Sequence, residues 1–307
     1  MEQFFIILNQ LVSFLIMMII GFLAAKLAIT NEVFLDTLSK LIMKIILPIL
    51  IFTNAVNGTT RSDLFECYPI ILLSIGMYVG LILVFLLFAK IIGVNEERNN
   101  IYVATMIFGN AGFIGIPLLM AIFPEKGVLY LVLMSIIDQI VLWTYGVYLT
   151  DKNKGKQKFT MKGFINPAVL AVVLSFIFIL IGINIPDMIL VPLQTVGKSA
   201  TPLSLIYLGG LFYYCNWKTV LKEKELYGGI VAKMIIFPVA FYYIAMNFCS
   251  NADMVRAMAI ISGLPTMTTI AMFAKSKDNH AEYAVGTVLV TTAVCLITLT
   301  VVSYIIF

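Results

Sequence analysis

Charge is scarce in this chain. Asp, Glu, Lys and Arg make up 12% of its 307 residues, and there is one histidine. An ordinary soluble domain is about 25% charged and roughly 45 to 50% apolar. Here the apolar share is 61% and the mean hydropathy is +1.03, so most of the chain belongs in lipid. The same scarcity excludes nucleic-acid binding, which needs a basic soluble face. Cysteine is sparse too: Cys67, Cys215, Cys249 and Cys295 form no CxxC and have no nearby histidine, so no metal or redox chemistry is indicated. Catalysis needs a cluster of acids, bases or metal ligands. Asp138 is the one acid deep in apolar sequence and His280 stands alone in a loop, so neither an enzyme nor a cofactor is expected.

What the chain does have is long apolar runs. They lie near residues 5–27, 37–56, 68–92, 99–122, 127–149, 164–183, 193–213, 226–248, 254–275 and 281–306. Each is long enough to span a hydrocarbon core that needs about 20 apolar residues. In that medium the backbone must satisfy its own polar groups, so the runs predict an all-α polytopic membrane protein of ten helices. The first run follows Glu2 with no Lys or Arg before it and is too long for a cleaved signal peptide.

Basic residues set the orientation. With the N-terminus outside, the cytoplasmic connections hold fourteen Lys and Arg, among them Lys26, Lys40, Lys90, Arg98 and Lys277, and the outside ones only Arg61, Lys126 and Arg256. Positive charge collects on the cytoplasmic side. Both termini are therefore expected outside the cytoplasmic membrane, and the net charge of +4 reflects topology. Lys44, Lys198 and Lys233 fall inside spans and are expected to snorkel. The Lys-rich segment over 151–163 reads as a cytoplasmic linker.

The two halves repeat their interruptions at an offset of 154 residues. Lys44 and Pro48 recur as Lys198 and Pro202, and Gly109–Asn110 lies opposite Gly263–Leu264. Five spans per half is an odd number, so the second copy must enter the membrane from the opposite side. The expected arrangement is a first five-helix repeat over 1–150 and an inverted one over 164–307, with substrate bound where their broken helices meet. Pro48 and Pro202 read as structural kinks.

Span 4 reads MIFGNAGFIGIPLLM, with Gly109, Gly112, Gly115 and Pro117 within nine residues. Propensity alone makes those four about 6 kcal/mol worse than alanine in a helix. Unwound backbone at this depth is tolerated only inside protein or beside a cavity, so Asn110, Gly112, Gly115 and Pro117 are candidate substrate contacts. Close helix packing through small residues, with a proline kink, is the other reading. Span 9 repeats the break as ISGLPTMTTIAM, adding Gly263, Pro265, Thr266 and Thr268 to the candidates. Each second half-helix would turn free amides and a positive dipole end toward the meeting point, which can hold an anion without a buried Arg or His. Membrane threonines also bond back to their own helix, and both roles stay open for Thr268 and Thr269. Asp138, beside Gln139 in span 5, is a candidate for a coupling proton or cation, or else a satisfied polar contact.

Those residues carry a resemblance. FGNAGFIGIPLL, FINPAVLA, TPLSLIYLGGLF and GLPTMTTIAMFAKSKDNHAEYAVGTVLVTT, in this order and across the whole chain, resemble the auxin efflux carrier family in its short, bacterial, malate- and malonate-transporter-like form, with a PIN-like fold. The resemblance implies crossing helices 4 and 9, a scaffold of helices 1, 2, 6 and 7, a mobile domain of helices 3–5 and 8–10, and a homodimer. It carries the crossover asparagine and proline onto Asn110 and Pro117 and the helix 9 proline onto Pro265. Leu264 stands where a polar residue would face Asn110. The implied activity is secondary transport of a small organic anion by alternating access, with proton or sodium as possible coupling ions. A cation/proton antiporter or sodium-coupled carrier of the same build is the alternative, with a passive channel third.

Overall fold

The computed structural model of the chain describes residues 2–57, 59–152 and 167–307; most of the expected linker, from residue 153, lies outside them. The described residues are all helix and connections, with one isolated β-bridge. In the first half, α1 spans Glu2–Lys26, and α2 (Glu32–Leu41) runs through a π turn, Ile42–Ile46, into α3 (Leu47–Val56). Short α4 (Arg61–Glu66) precedes α5 (Pro69–Ile92). Helix α6 (Glu96–Ile107) stops, and a π turn at Ala111–Gly115 opens α7 (Ile116–Ile122). Then α8 (Gly127–Val141) passes through the π turn Leu142–Gly146 into α9 (Val147–Thr150). In the second half come α10 (Pro167–Ile181), α11 (Asp187–Lys198), α12 (Ala200–Tyr214) and, around a π turn at Ala232–Ile236, α13 (Lys224–Val231) and α14 (Phe237–Ala245). Helix α15 (Ala252–Ser262) stops, α16 (Thr268–Ser276) restarts, and α17 (Ala281–Ile306) closes the chain.

Five stretches are long and apolar enough to cross a bilayer: Leu8–Lys26, Pro69–Ile92, Gly127–Thr150, Lys224–Ala245 and Ala281–Ile306. Apolar side chains cover their outer faces, Ile91 and Ile297 being 80% and 68% exposed, which water would penalise and lipid does not. This is a multi-pass membrane protein.

Proline explains three of the π turns. Pro48, Pro117 and Pro238 are each the second residue of the helix that follows one. A proline ring has no N–H and clashes with the carbonyl four residues back, and the wider turn moves that carbonyl aside. The π turn at Leu142–Gly146 has no proline behind it.

Two packing groups emerge. In one, α1 lies along α12, and α3 along α10 and α11. Glycine permits the first contact at backbone distance: a Cβ added to Gly209 would lie 1.9 Å from Met18 O, and one added to Gly21 would lie 2.0 Å from Ile206 O. In the other, α5 packs on α6, α8 and α15, and α17 on α14 and α16. The two interrupted helices begin alike: Asn95 caps α6 through Glu97 N, and Asn251 caps α15 through Asp253 N and Met254 N, with acids in each first turn. Both features stabilise a helix start.

Candidate functional site

Where α6 and α15 stop, two extended segments cross. Gly109 and Thr266 form the antiparallel bridge, Asn110 N donates to Pro265 O at 2.8 Å, and Met267 N donates to Phe108 O at 2.9 Å. Backbone without helical partners is thus satisfied by the other crossing segment, as burial in an apolar medium requires. Two helices restart beside this crossing. Asn110 caps the first, its Oδ1 accepting from Phe113 N at 3.3 Å, and its Nδ2 donates across to Thr268 Oγ1 at 3.4 Å, where α16 begins. The amides of Ala111, Phe113, Ile114 and Gly115 are bonded within the turn, which leaves the Gly112 amide as the one not so used. Helix α16 starts without a side-chain cap; Ile270 N donates to Met267 O at 3.2 Å, and the amides of Thr268 and Thr269 precede that first bond.

A cavity of about 450 Å³ lies against these two helix starts. Asn110, Gly112, Thr268 and Thr269 form one wall, and Ser135, Asp138, Gln139 and Trp143 another. Lys40, Met43, Lys44, Leu47 and Ile51, from α2, the π turn and α3, also line it. Asp138 is 3% exposed and fully engaged: Tyr78 Oη donates to Oδ1 in a very short bond, Gln139 Nε2 donates to Oδ2 at 3.0 Å, and Trp143 Nε1 donates to Gln139 Oε1 at 3.1 Å. Positive groups and N–H donors therefore outnumber acids around this space.

Five of the ten candidates, Asn110, Gly112, Thr268, Asp138 and Gln139, line the cavity. The other five do not, and they shape the crossing behind it. Gly115 makes room for the buried Leu264, whose Cδ1 would be 2.9 Å from an added Cβ, and Gly263 lies against Pro238. Pro117 starts α7, and Pro265 offers its carbonyl to Asn110. Thr266 is fully buried, with N bonded to Thr291 Oγ1 at 3.0 Å and Oγ1 donating to Thr105 O at 2.8 Å. Alternation along an extended segment would put Thr266 and Thr268 on one side, but the segment ends where α16 begins at Thr268, and the two side chains part there.

Of Lys40, Lys44 and Lys233, Lys233 is the one that departs from the sequence reading. Lys44 and Lys40, one turn apart, are exposed and line the cavity. Lys233 does not snorkel: it is 0% exposed, and its Nζ donates to Phe108 O at 2.9 Å and Thr105 O at 3.2 Å. Snorkelling needs an open path to the interface, and α6 closes that path here.

The comparisons with known proteins decide the family. The profile of the family described as "Membrane transport protein" matches residues 6–303. The chain belongs to that family. An uncharacterized transporter of Methanocaldococcus jannaschii is 25% identical over 202 residues, which cover 64% of this chain and 65% of that protein, just under two thirds of its length. One from Methanothermobacter thermautotrophicus is 22% identical over 296 residues, 95% of each chain. The uncharacterized transporter YfdV of Escherichia coli is 23% identical over 276 residues, 86% of each. A membrane transport protein needs a path and a binding site in place of a reaction centre. Family membership makes this chain a membrane transport protein, and among the described residues no group of three or more His, Cys, Asp or Glu converges.

Proposed function

We propose that this transporter is a secondary carrier of a small organic anion, a carboxylate such as malate or malonate, working by alternating access in the cytoplasmic membrane. The observation that carries the reading is the cavity lining: two helix starts joined by the Asn110–Thr268 bond, Gly112 beside them, and Lys40 and Lys44 in the same lining. Helix starts and oriented amides favour negative charge. The lysines supply the cationic partner that the crossing sequences lack. In this proposal the helices make ten crossings, arranged as two inverted five-helix repeats of the auxin efflux carrier type. The packing group of α1, α3 and α10–α12 corresponds to the scaffold, the other group to the mobile domain, and the cavity walls come from both. Relative motion of the groups would then open the cavity to either side, and two scaffolds are proposed to join as a homodimer.

Purified protein in liposomes, offered mono- and dicarboxylates with pH and sodium gradients imposed separately, tests this. Saturable uptake of a carboxylate is expected, with half-saturation in the micromolar to millimolar range, because exposed lysines and dipole ends contribute modestly, about 0.3 to 2 kcal/mol per dipole end. Flux that never saturates would make it a channel. Cation exchange without carboxylate flux would favour the antiporter reading, for which the buried Asp138 speaks. Orientation has its own check: a single cysteine at Asp151 should react only from the cytoplasm and one at Asp187 only from outside. The reverse pattern overturns external termini, and same-side labelling overturns the number of crossings.

A further inference from the structure

Lys233 is a fully buried lysine for which anion binding in the cavity has no use. It sits in the π turn between α13 and α14, outside the cavity lining. Its ammonium bonds the carbonyls of Thr105 and Phe108, which belong to the last turn and end of α6. Helix-end carbonyls lack an amide further along the helix and carry partial negative charge. Both carbonyls have a second partner from the other interrupted helix: Thr266 Oγ1 bonds Thr105 O at 2.8 Å, and Met267 N bonds Phe108 O at 2.9 Å. The cationic head and the segment that leads into α16 thus converge on the same two carbonyls at the end of α6. Asn110 and Thr268, each two residues along from Phe108 and Thr266, are the pair that faces the cavity.

A leucine or methionine would fill the same volume without burying a polar head, so packing does not account for lysine here. The chemistry at this point is that of a cation site. Helix-end and unwound carbonyls are the oxygens that coordinate a monovalent ion in transporters with broken helices. An ammonium has three donors and no acceptor, and it satisfies such oxygens without an ion.

We propose that Lys233 is a built-in cation at the crossing, a positioning residue that occupies the place of a bound monovalent ion and holds the Asn110–Thr268 face in the geometry that receives the anion. The inference rests on the anion-transport reading for its substrate readout; its structural readout is independent of any substrate.

The test uses full-length protein in liposomes, with backbone hydrogen exchange followed without ligand and malonate as the binding probe. Lys233→Met should remain folded, exchange about tenfold faster in peptides covering 105–110 and 264–270 but not elsewhere, and bind malonate about tenfold more weakly. Lys233→Arg should stay near the parent in both. In Lys233→Ala, added ethylammonium should restore protection of these peptides and ethanol should not. Parent-like exchange in Lys233→Met, equal rescue by ethanol, or undiminished malonate affinity beside a loosened crossing each overturn the proposal. If Lys233→Met does not reach the membrane, Lys233→Gln, which keeps two N–H donors and loses the charge, takes its place with the same outcomes. Should the parent itself not bind malonate, the anion reading fails, and the exchange and rescue results still decide the role of Lys233.

Discussion

Asn110→Ala should leave folded protein in the membrane and reduce carboxylate uptake at least about a hundredfold, a loss of about 2.7 kcal/mol of transition-state stabilisation. The fold survives because the side chain supplies one helix cap, through Phe113 N, and loss of such a cap costs about 1 kcal/mol. The backbone part of the crossing, Asn110 N to Pro265 O, is untouched by the substitution. What disappears is the amide that joins the two helix starts through Thr268 Oγ1 and faces the cavity between them. Binding should fail with transport, so malonate should raise the melting temperature of the parent and leave that of the variant unchanged. A variant that takes up malonate like the parent would move the site away from the crossing.

The sequence shows the interruptions of span 4 and span 9 because several unfavourable residues stand together there. Gly109, Gly112, Gly115 and Pro117 leave a helix few ways to continue, and Gly263 with Pro265 does the same. The direction each residue faces is far less legible. Apolar residues flank the breaks in both spans, so no single stripe marks the cavity face. Lys40 and Lys44 look like an interfacial charge and a snorkelling one until the fold turns both toward the cavity. Lys233 is a lone charge in an apolar run, as Lys198 is, and the sequence has no local feature that separates a sealed lysine from an exposed one. The difference lies in which helix end packs beside it, a contact between residues more than 120 positions apart.

The π turns show the same limit. A proline marks three of them from the sequence side, but it predicts a kink without saying whether the helix breaks or widens. Leu264 gives the opposite lesson: in place of a polar partner for Asn110, it is a buried spacer that Gly115 accommodates, so the two helix starts are not chemically equivalent. Asn110 belongs to one half, and Thr268 answers it from the other. The substrate face is therefore asymmetric although the interruptions repeat at a fixed offset.

Asp138→Asn should bind carboxylate like the parent and lose the response of uptake to an imposed gradient. The carboxylate has a donor on each oxygen, Tyr78 Oη on one and Gln139 Nε2 on the other, and Trp143 holds Gln139 in place. That arrangement is complete for the ionised form. A proton arriving on Asp138 needs an acceptor, and the Tyr78 hydroxyl can become one by rotating, since a phenol both donates and accepts. The group therefore has two self-consistent hydrogen-bonded states in the cavity wall, which is what a coupling site requires. Asparagine fits the same space but is locked: its amide can donate to Tyr78 permanently, and no proton is exchanged. If the coupling ion is a proton, uptake by Asp138→Asn under a pH gradient should fall to its rate without one. If it is sodium, the sodium response should vanish instead, because the variant lacks the negative charge that would hold the ion. Uptake that keeps the parent's gradient dependence would make Asp138 a buried contact that orders Tyr78 and Gln139, and the carrier would then move its anion without this residue as the coupling site.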